Sequence, residues 1–212
     1  MSGTRGKIIL LGGGGHAAVL IELIRSCDQY EIEGILNESG KSPDSVFGIP
    51  ILGNDGLLPD LYSQGIRNAC VAVGSIQDNS NRKALYEKVK GIGFHVPSLV
   101  HVTGYVSEST SLSEGVQVMA GAVLQSLSII GENTIINTGA IVEHGCRIGR
   151  NVHICPGAIV SGDTNIGDNT FIGAGATIKQ GTVIGQDSLV AAGAVVVKDV
   201  PDGAKIIGVP AK

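Results

Sequence analysis

The sequence predicts two domains in series: an α/β, Rossmann-like βαβ domain, then a parallel β-helix built on hexapeptides. Three observations carry this. Every sixth residue from Val100 to Val196 is aliphatic, seventeen positions without an insertion. A short aliphatic run near the start, Lys7-Ile-Ile-Leu-Leu11, leads into four glycines and then a helical pattern. The 212 residues hold 32 glycines but only 3 % aromatics, which suits stacked backbone with small side chains rather than a core around large rings.

Composition excludes several classes. The glycines follow no G-X-Y period, which rules out collagen, and 43 % hydrophobic content is too high for disorder. A formal charge of -4 and a pI near 5.7 leave no electrostatic footprint for nucleic acid. No apolar run approaches the ~18 residues of a membrane span. The four aliphatics after Lys7 fall short of a secretory core of ~7–15, so a cytoplasmic protein is expected. Cys27, Cys70, Cys146 and Cys155 form no CxxC pair and read as reduced structural thiols.

In the first domain, residues 1–97, Lys7–Leu11 reads as a strand buried on both faces. Gly12, Gly14 and Ala17 fit G-x-G-x-x-A, and Ala18–Arg25 reads as the following helix. Glycine there permits a tight turn and lets backbone N–H groups approach a phosphate at the helix N-terminus. A second strand, Glu31–Leu36, ends at Asn37-Glu38, about where such units place a polar residue to meet a ribose. A polar loop, a short strand at Ile49–Gly53 and a helix over Gly56–Gln64 follow. Asn68–Val73 is read as a third strand ending at Gly74-Ser75, and Ser80 as the cap of a helix over Asn81–Gly91. Any ligand is expected beyond the strand ends, near Gly14–His16, Asn37 and Gly74.

In the second domain, residues 98–212, the residue four after each aliphatic position is small or β-branched, from Gly104 to Val200. Neither helical nor simple strand periodicity holds register at six for so long. Hexapeptide repeats stack into a continuous core, the aliphatics inside and the small residues at the corners.

The chain resembles the hexapeptide acyltransferases, whose coils of three hexapeptides form a left-handed β-helix. On that pattern about five coils at ~4.8 Å each give a prism ~25 Å tall. GGGGHA at 12–17, GIPILG at 48–53, AVGS at 72–75 with Asn81-Arg82, IVEH at 141–144 and IGVPAK at the end narrow the resemblance. They resemble the sialic acid O-acetyltransferases and UDP-4-amino-sugar N-acetyltransferases of bacterial glycan pathways. The resemblance implies an acetyltransferase using acetyl-CoA, a homotrimer, no metal, and a UDP-linked amino sugar as acceptor, a sugar hydroxyl being the alternative. It assigns the nucleotide sugar to Gly14, Gly15, His16, Asn37, Glu38 and Gly74. Acetyl-CoA is assigned to His153, Ala174 and Ala192, and the general base to His144. An imidazole, with its ordinary pKa of ~6.5, suits that role near neutrality.

This chain departs from the family at one place: Gly145 stands where an acid commonly follows the histidine. His95 and His101 read as surface groups. Two other classes have counterparts in the sequence. His101, His144 and His153 could supply three imidazoles to a metal, as in γ-type carbonic anhydrases. A non-catalytic nucleotide-sugar-binding protein would keep the glycine loop alone. Cys146 is the rival nucleophile, but its repeat position points it into the core.

Overall fold

The computed structural model describes residues 5–38 and 44–212. Residues 39–43, part of the polar loop expected after Glu38, lie outside them, as do residues 1–4.

The first domain is a small, mostly parallel sheet with helices on its faces. Its strands are β1 (Gly6–Leu11), β2 (Tyr30–Leu36), β3 (Ser45–Val46), β4 (Ile49–Gly53) and β5 (Asn68–Val71), in the order β3-β4-β2-β1-β5. Only the β3–β4 pair is antiparallel. Ile8, Ile9, Leu10 and Leu11 are all essentially unexposed, as a continuous apolar run in a central parallel strand requires. Helix α1 (Gly15–Cys27) covers one face through Leu20, Ile21 and Ile24; α2 (Leu58–Ser63) and α3 (Ser80–Ile92) cover the other.

Three boundaries differ from the sequence-based expectation. The third strand stops at Val71 rather than Val73, which leaves Val73 outside the strand, in the wall of a cavity. The helix expected over 56–64 is a 3-10 turn, Asp55–Leu57, followed by the short α2, with a proline in its first turn. Helix α3 begins at Ser80 itself. The N-cap position falls on Asn79, which makes no side-chain capping bond, and Asp78 Oδ1 accepts the Ser80 N–H at 2.8 Å, so Ser80 is not the cap.

From Leu99 the chain winds as a triangular prism of two-residue strands. They form three parallel sheets of seven, six and five strands. Strands pair eighteen residues apart, for example Ile135 with His153 and Ile141 with Ile159, until the last pair, Leu189 with Lys205, which is sixteen apart. The stepped aliphatics fill the interior, Val118 through Val196 being buried as expected. The corners turn on residues with positive φ. One corner carries a ladder of Asn133, Asn151, Asn169 and Asp187, with φ of 56°, 54°, 60° and 54°. Asparagine and aspartate tolerate this backbone, and each amide here donates to the next side chain up the stack.

The βαβ domain sits on the outer face of the seven-strand sheet, hereafter the covered face. Leu99, Met119 and Ile135 of the prism share an apolar cluster with α1 and β1. Among the described residues no helix is long and apolar enough to cross a membrane.

Candidate active site

At the strand ends of the first domain, Gly12 has φ +112°, and a Cβ there would lie 2.6 Å from Val73 Cγ2, so the turn demands glycine. Gly14 caps α1 with extended backbone and no side-chain bond, and a Cβ at Gly14 or Gly15 would meet nothing within 4 Å. The first turn of α1 therefore borders open space at Gly14 and Gly15, and its N–H groups have no partner within the helix. A cavity of about 310 Å³ beside them is lined by Gly12, Asn37, Glu38, Asp55, Asn81 and Lys88, among others. Lys88 and Asp55 pair across its mouth. The cavity takes in Asn37 and Glu38. Gly14, Gly15, His16 and Gly74 are not in its walls; a Cβ at Gly74 would lie 3.5 Å from His16 Cγ.

His16 bridges the two domains. Its Nε2 lies 2.9 Å from Gln117 Oε1, while Gln117 Nε2 donates to the Val71 carbonyl at 2.9 Å. Because that carbonyl can only accept, Gln117 Oε1 is the acceptor toward His16 and Nε2 carries the imidazole proton. Burial, then the nearby Arg82 guanidinium, pushes the His16 pKa down to about 4. His16 is thus neutral and offers the cleft a lone pair at Nδ1, which suits a hydroxyl or amine donor and not a phosphate oxygen.

Arg82 is 2 % exposed and, among the described residues, has no carboxylate partner. It donates to the carbonyls of Asn133, Val71 and Val73, clamping α3 and β5 to the prism. Asn79 does the same from the start of α3, donating to the carbonyls of Asn151 and Asn169.

His153 points outward from the covered face and is closed over by the first domain, 5 % exposed, edge-on to Phe171. Its Nδ1 lies 2.6 Å from Ser75 Oγ and its Nε2 3.0 Å from Asn137 Nδ2. Burial, with Arg82 and His16 adding to it, lowers its pKa to about 3. Both ring nitrogens are taken, so this side chain reaches a ligand only through its neighbours. Ala174 and Ala192 are exposed and stack one coil apart on the next corner, beyond the covered face.

His144 lies elsewhere. It is exposed in the turn between Ile141–Val142 of the six-strand sheet and Arg147–Ile148 of the five-strand sheet, the corner opposite the covered face. Its ring rests on Gly162 of the next coil: a Cβ there would lie 2.6 Å from Cε1 and 2.7 Å from Nε2. Gly162 has no positive φ, so only the imidazole requires glycine. Gly145, in place of the acid, has φ +69°, and a side chain there would run into Asp163 Oδ1. Cys146 is fully buried with Sγ 3.3 Å from the Ser161 carbonyl, and burial raises its pKa to about 11, which leaves the thiol unreactive. His101 bonds Thr103 and His95 bonds Glu114, so the histidines do not gather. Among the described residues no group of three or more His, Cys, Asp or Glu could hold a metal ion.

Sequence reasoning missed Ser75, Arg82, Gln117 and Asn137. Gln117 and His153 occupy outward positions on a face whose other outward residues include Leu99 and Ile135. Polar residues alternating with apolar ones at eighteen-residue spacing were the available signal of a half-polar domain junction.

Residues 7–89 match the PglD N-terminal domain, and residues 127–162 and 163–198 each match the bacterial transferase hexapeptide (six repeats). The whole chain is similar to PerB from Caulobacter crescentus, solved in complex with CoA and GDP-perosamine. Identity is 42 %, covering 98 % of this chain and 96 % of that one, with a TM-score of 0.91. The chain belongs to the hexapeptide acyltransferase family. Another member, the acetyltransferase domain of PglB from Neisseria gonorrhoeae FA1090, solved with acetyl coenzyme A, is 38 % identical over 98 % of both chains at a TM-score of 0.90. WeeI from Acinetobacter baumannii AYE is 27 % identical over 98 % of this chain and 99 % of its own, at a TM-score of 0.84. No curated protein matches the sequence.

Proposed function

We propose that the protein transfers the acetyl group of acetyl-CoA to the amino group of a nucleotide-linked amino sugar, by direct attack with His144 as general base. The observation that carries this reading is the full-length likeness, at 42 % identity, to an enzyme solved with CoA and GDP-perosamine. Variants of that enzyme with a histidine replaced by asparagine or alanine were also solved with both ligands, which supports a functional histidine outside the binding determinants. The amine nitrogen attacks the thioester carbonyl and its proton passes to His144. The C–S bond breaks, and the CoA sulfur leaves with that proton. Burial of Cys146 argues against an acyl-enzyme.

Gly14 and Gly15 offer backbone N–H groups to the diphosphate, and the cavity at Asn37 and Glu38 takes the nucleoside. His16 accepts from a ligand hydroxyl or amine beside Gly74. Ala174 and Ala192 let a pantetheine arm run close to the backbone, with His153 behind them. The resemblance implies a uridine nucleotide; the GDP-perosamine relative favours a guanosine nucleotide as the second reading.

The domain packs on the covered face, and His144 stands at the opposite corner. One acceptor cannot bridge the two within a chain, so the cleft of one subunit works with His144 of another, in the homotrimer that the resemblance implies. Exposed Tyr105 and Ile159 on one uncovered sheet, and Ile129 and Val183 on the other, supply apolar surface for that assembly. Sedimentation at micromolar concentration should give a trimer. Free-CoA release tests the chemistry, with GDP-perosamine, a UDP-linked 4-amino sugar and free sialic acid as acceptors. Turnover of a nucleotide amino sugar is expected; turnover of sialic acid alone would overturn the reading.

A further inference from the structure

The hydrogen bonds at the domain junction have a fixed direction. Asn137 Oδ1 accepts the Thr138 N–H at 2.7 Å, which sets the amide so that its Nδ2 is the group facing His153 Nε2 at 3.0 Å. An amide NH₂ can only donate, so Nε2 is the bare nitrogen. The neutral imidazole then carries its single proton on Nδ1 and gives it to Ser75 Oγ at 2.6 Å. A serine hydroxyl that accepts in this way has its own proton left to give. Among the described residues Ser75 Oγ has no second partner. Ser75 is partly exposed and follows Gly74, where an added Cβ would lie 3.5 Å from His16 Cγ. Gly74, set against His16, the second residue of α1, thus places Ser75 and its remaining hydroxyl proton beside the first turn of that helix.

We infer that Ser75 is a ligand-binding residue whose hydroxyl donates to a diphosphate oxygen of the nucleotide sugar, held in that orientation by His153 and Asn137 of the prism. The inference rests on the proposed nucleotide-sugar cleft and adds a residue to it. His153 and Asn137 act as positioning residues: the prism, through its outward face, sets the polarity of a group in the other domain. Ser75 and His16 then divide the cleft, one supplying a donor and the other an acceptor. That pair matches a ligand carrying an anionic oxygen next to a hydroxyl or amine. The competing role, a clasp that only docks the two domains, makes no use of the remaining proton.

Calorimetry with GDP, UDP and acetyl-CoA on the intact protein separates the two roles. Ser75→Ala should weaken the nucleoside diphosphate that binds by about ten- to a hundredfold, the range for a hydrogen bond to a charged group. Acetyl-CoA affinity should stay within about twofold. Ser75→Thr keeps the hydroxyl and should restore nucleotide binding. His153→Phe, which keeps a ring but has no N–H, should weaken the nucleotide less, and adding Ser75→Ala to it should cost less than Ser75→Ala alone. Nucleotide binding by Ser75→Ala equal to that of the unaltered protein, with or without a lowered Tm, overturns the inference and leaves the cleft intact. Failure of the unaltered protein to bind either nucleotide overturns the cleft assignment as well.

Discussion

Two histidines held neutral beneath the domain junction make stability depend on mild acid. His16 and His153 titrate at about 4 and about 3 in the folded chain, chiefly through burial, against an ordinary value near 6.5. Between those limits the unfolded chain binds two protons that the folded chain refuses, so stability falls as pH falls. From pH 7 to pH 5 each histidine withdraws about 2 kcal/mol, roughly 4 kcal/mol per subunit together. The loss starts near pH 6.5 and ends only below the folded values. Urea unfolding at fixed protein concentration, repeated from pH 7 to 5, should show the midpoint dropping throughout. His153→Gln removes one of the two titrations and should roughly halve the slope, whatever it does to stability at pH 7. A midpoint that holds steady from pH 7 to 5 would refute the claim that both rings are buried neutral.

Other consequences are specific to single residues. His144→Ala should fold, bind both substrates and lose about 10²- to 10⁴-fold in kcat, since it leaves no cavity in the stack; near-normal kcat would remove it as the base. Gly162→Ala should lower kcat about tenfold with little change in KM or Tm, because the added methyl displaces the His144 ring and not the backbone; unchanged kcat would mean that the ring's seat does not matter. Gly14→Val has room in the empty protein, so Tm should hold while nucleotide-sugar affinity falls and acetyl-CoA affinity does not. Equal losses for both ligands, read by calorimetry, would contradict the division into two sites.

The prism was legible almost entirely, because its periodicity is dictated residue by residue. Each interior position must be aliphatic, and any slip would bury a corner. Val118, Ile136, Ile154 and Ile172 therefore mark out one wall by their eighteen-residue spacing alone. The glycine turn was equally plain, Gly12 being imposed by the approach of Ala72 and Val73. The junction was hidden because nothing local requires it. Gln117 and His153 satisfy the strand as well as any outward residue, and only the docking of the first domain gives Gln117 its partners and His153 its bond to Ser75. Arg82 is a similar case: in an exposed helix it would be a solvated cation, and its burial follows from what α3 packs against. The opposition of His144 and the cleft likewise needed the sheets to be in place. A linear repeat gives the corner order but not which face the other domain covers.

That opposition can be tested by mixing defective subunits. On the proposed assignment, His144→Ala subunits keep a working cleft and Gly14→Val subunits keep a working base. If each site takes its cleft from one subunit and its base from another, co-expressed trimers of random composition should recover about one quarter of the full acetyl-transfer rate. Each parent alone should be nearly inactive. Recovery near that level supports the split site; mixed trimers no more active than the average of the two parents would contradict it.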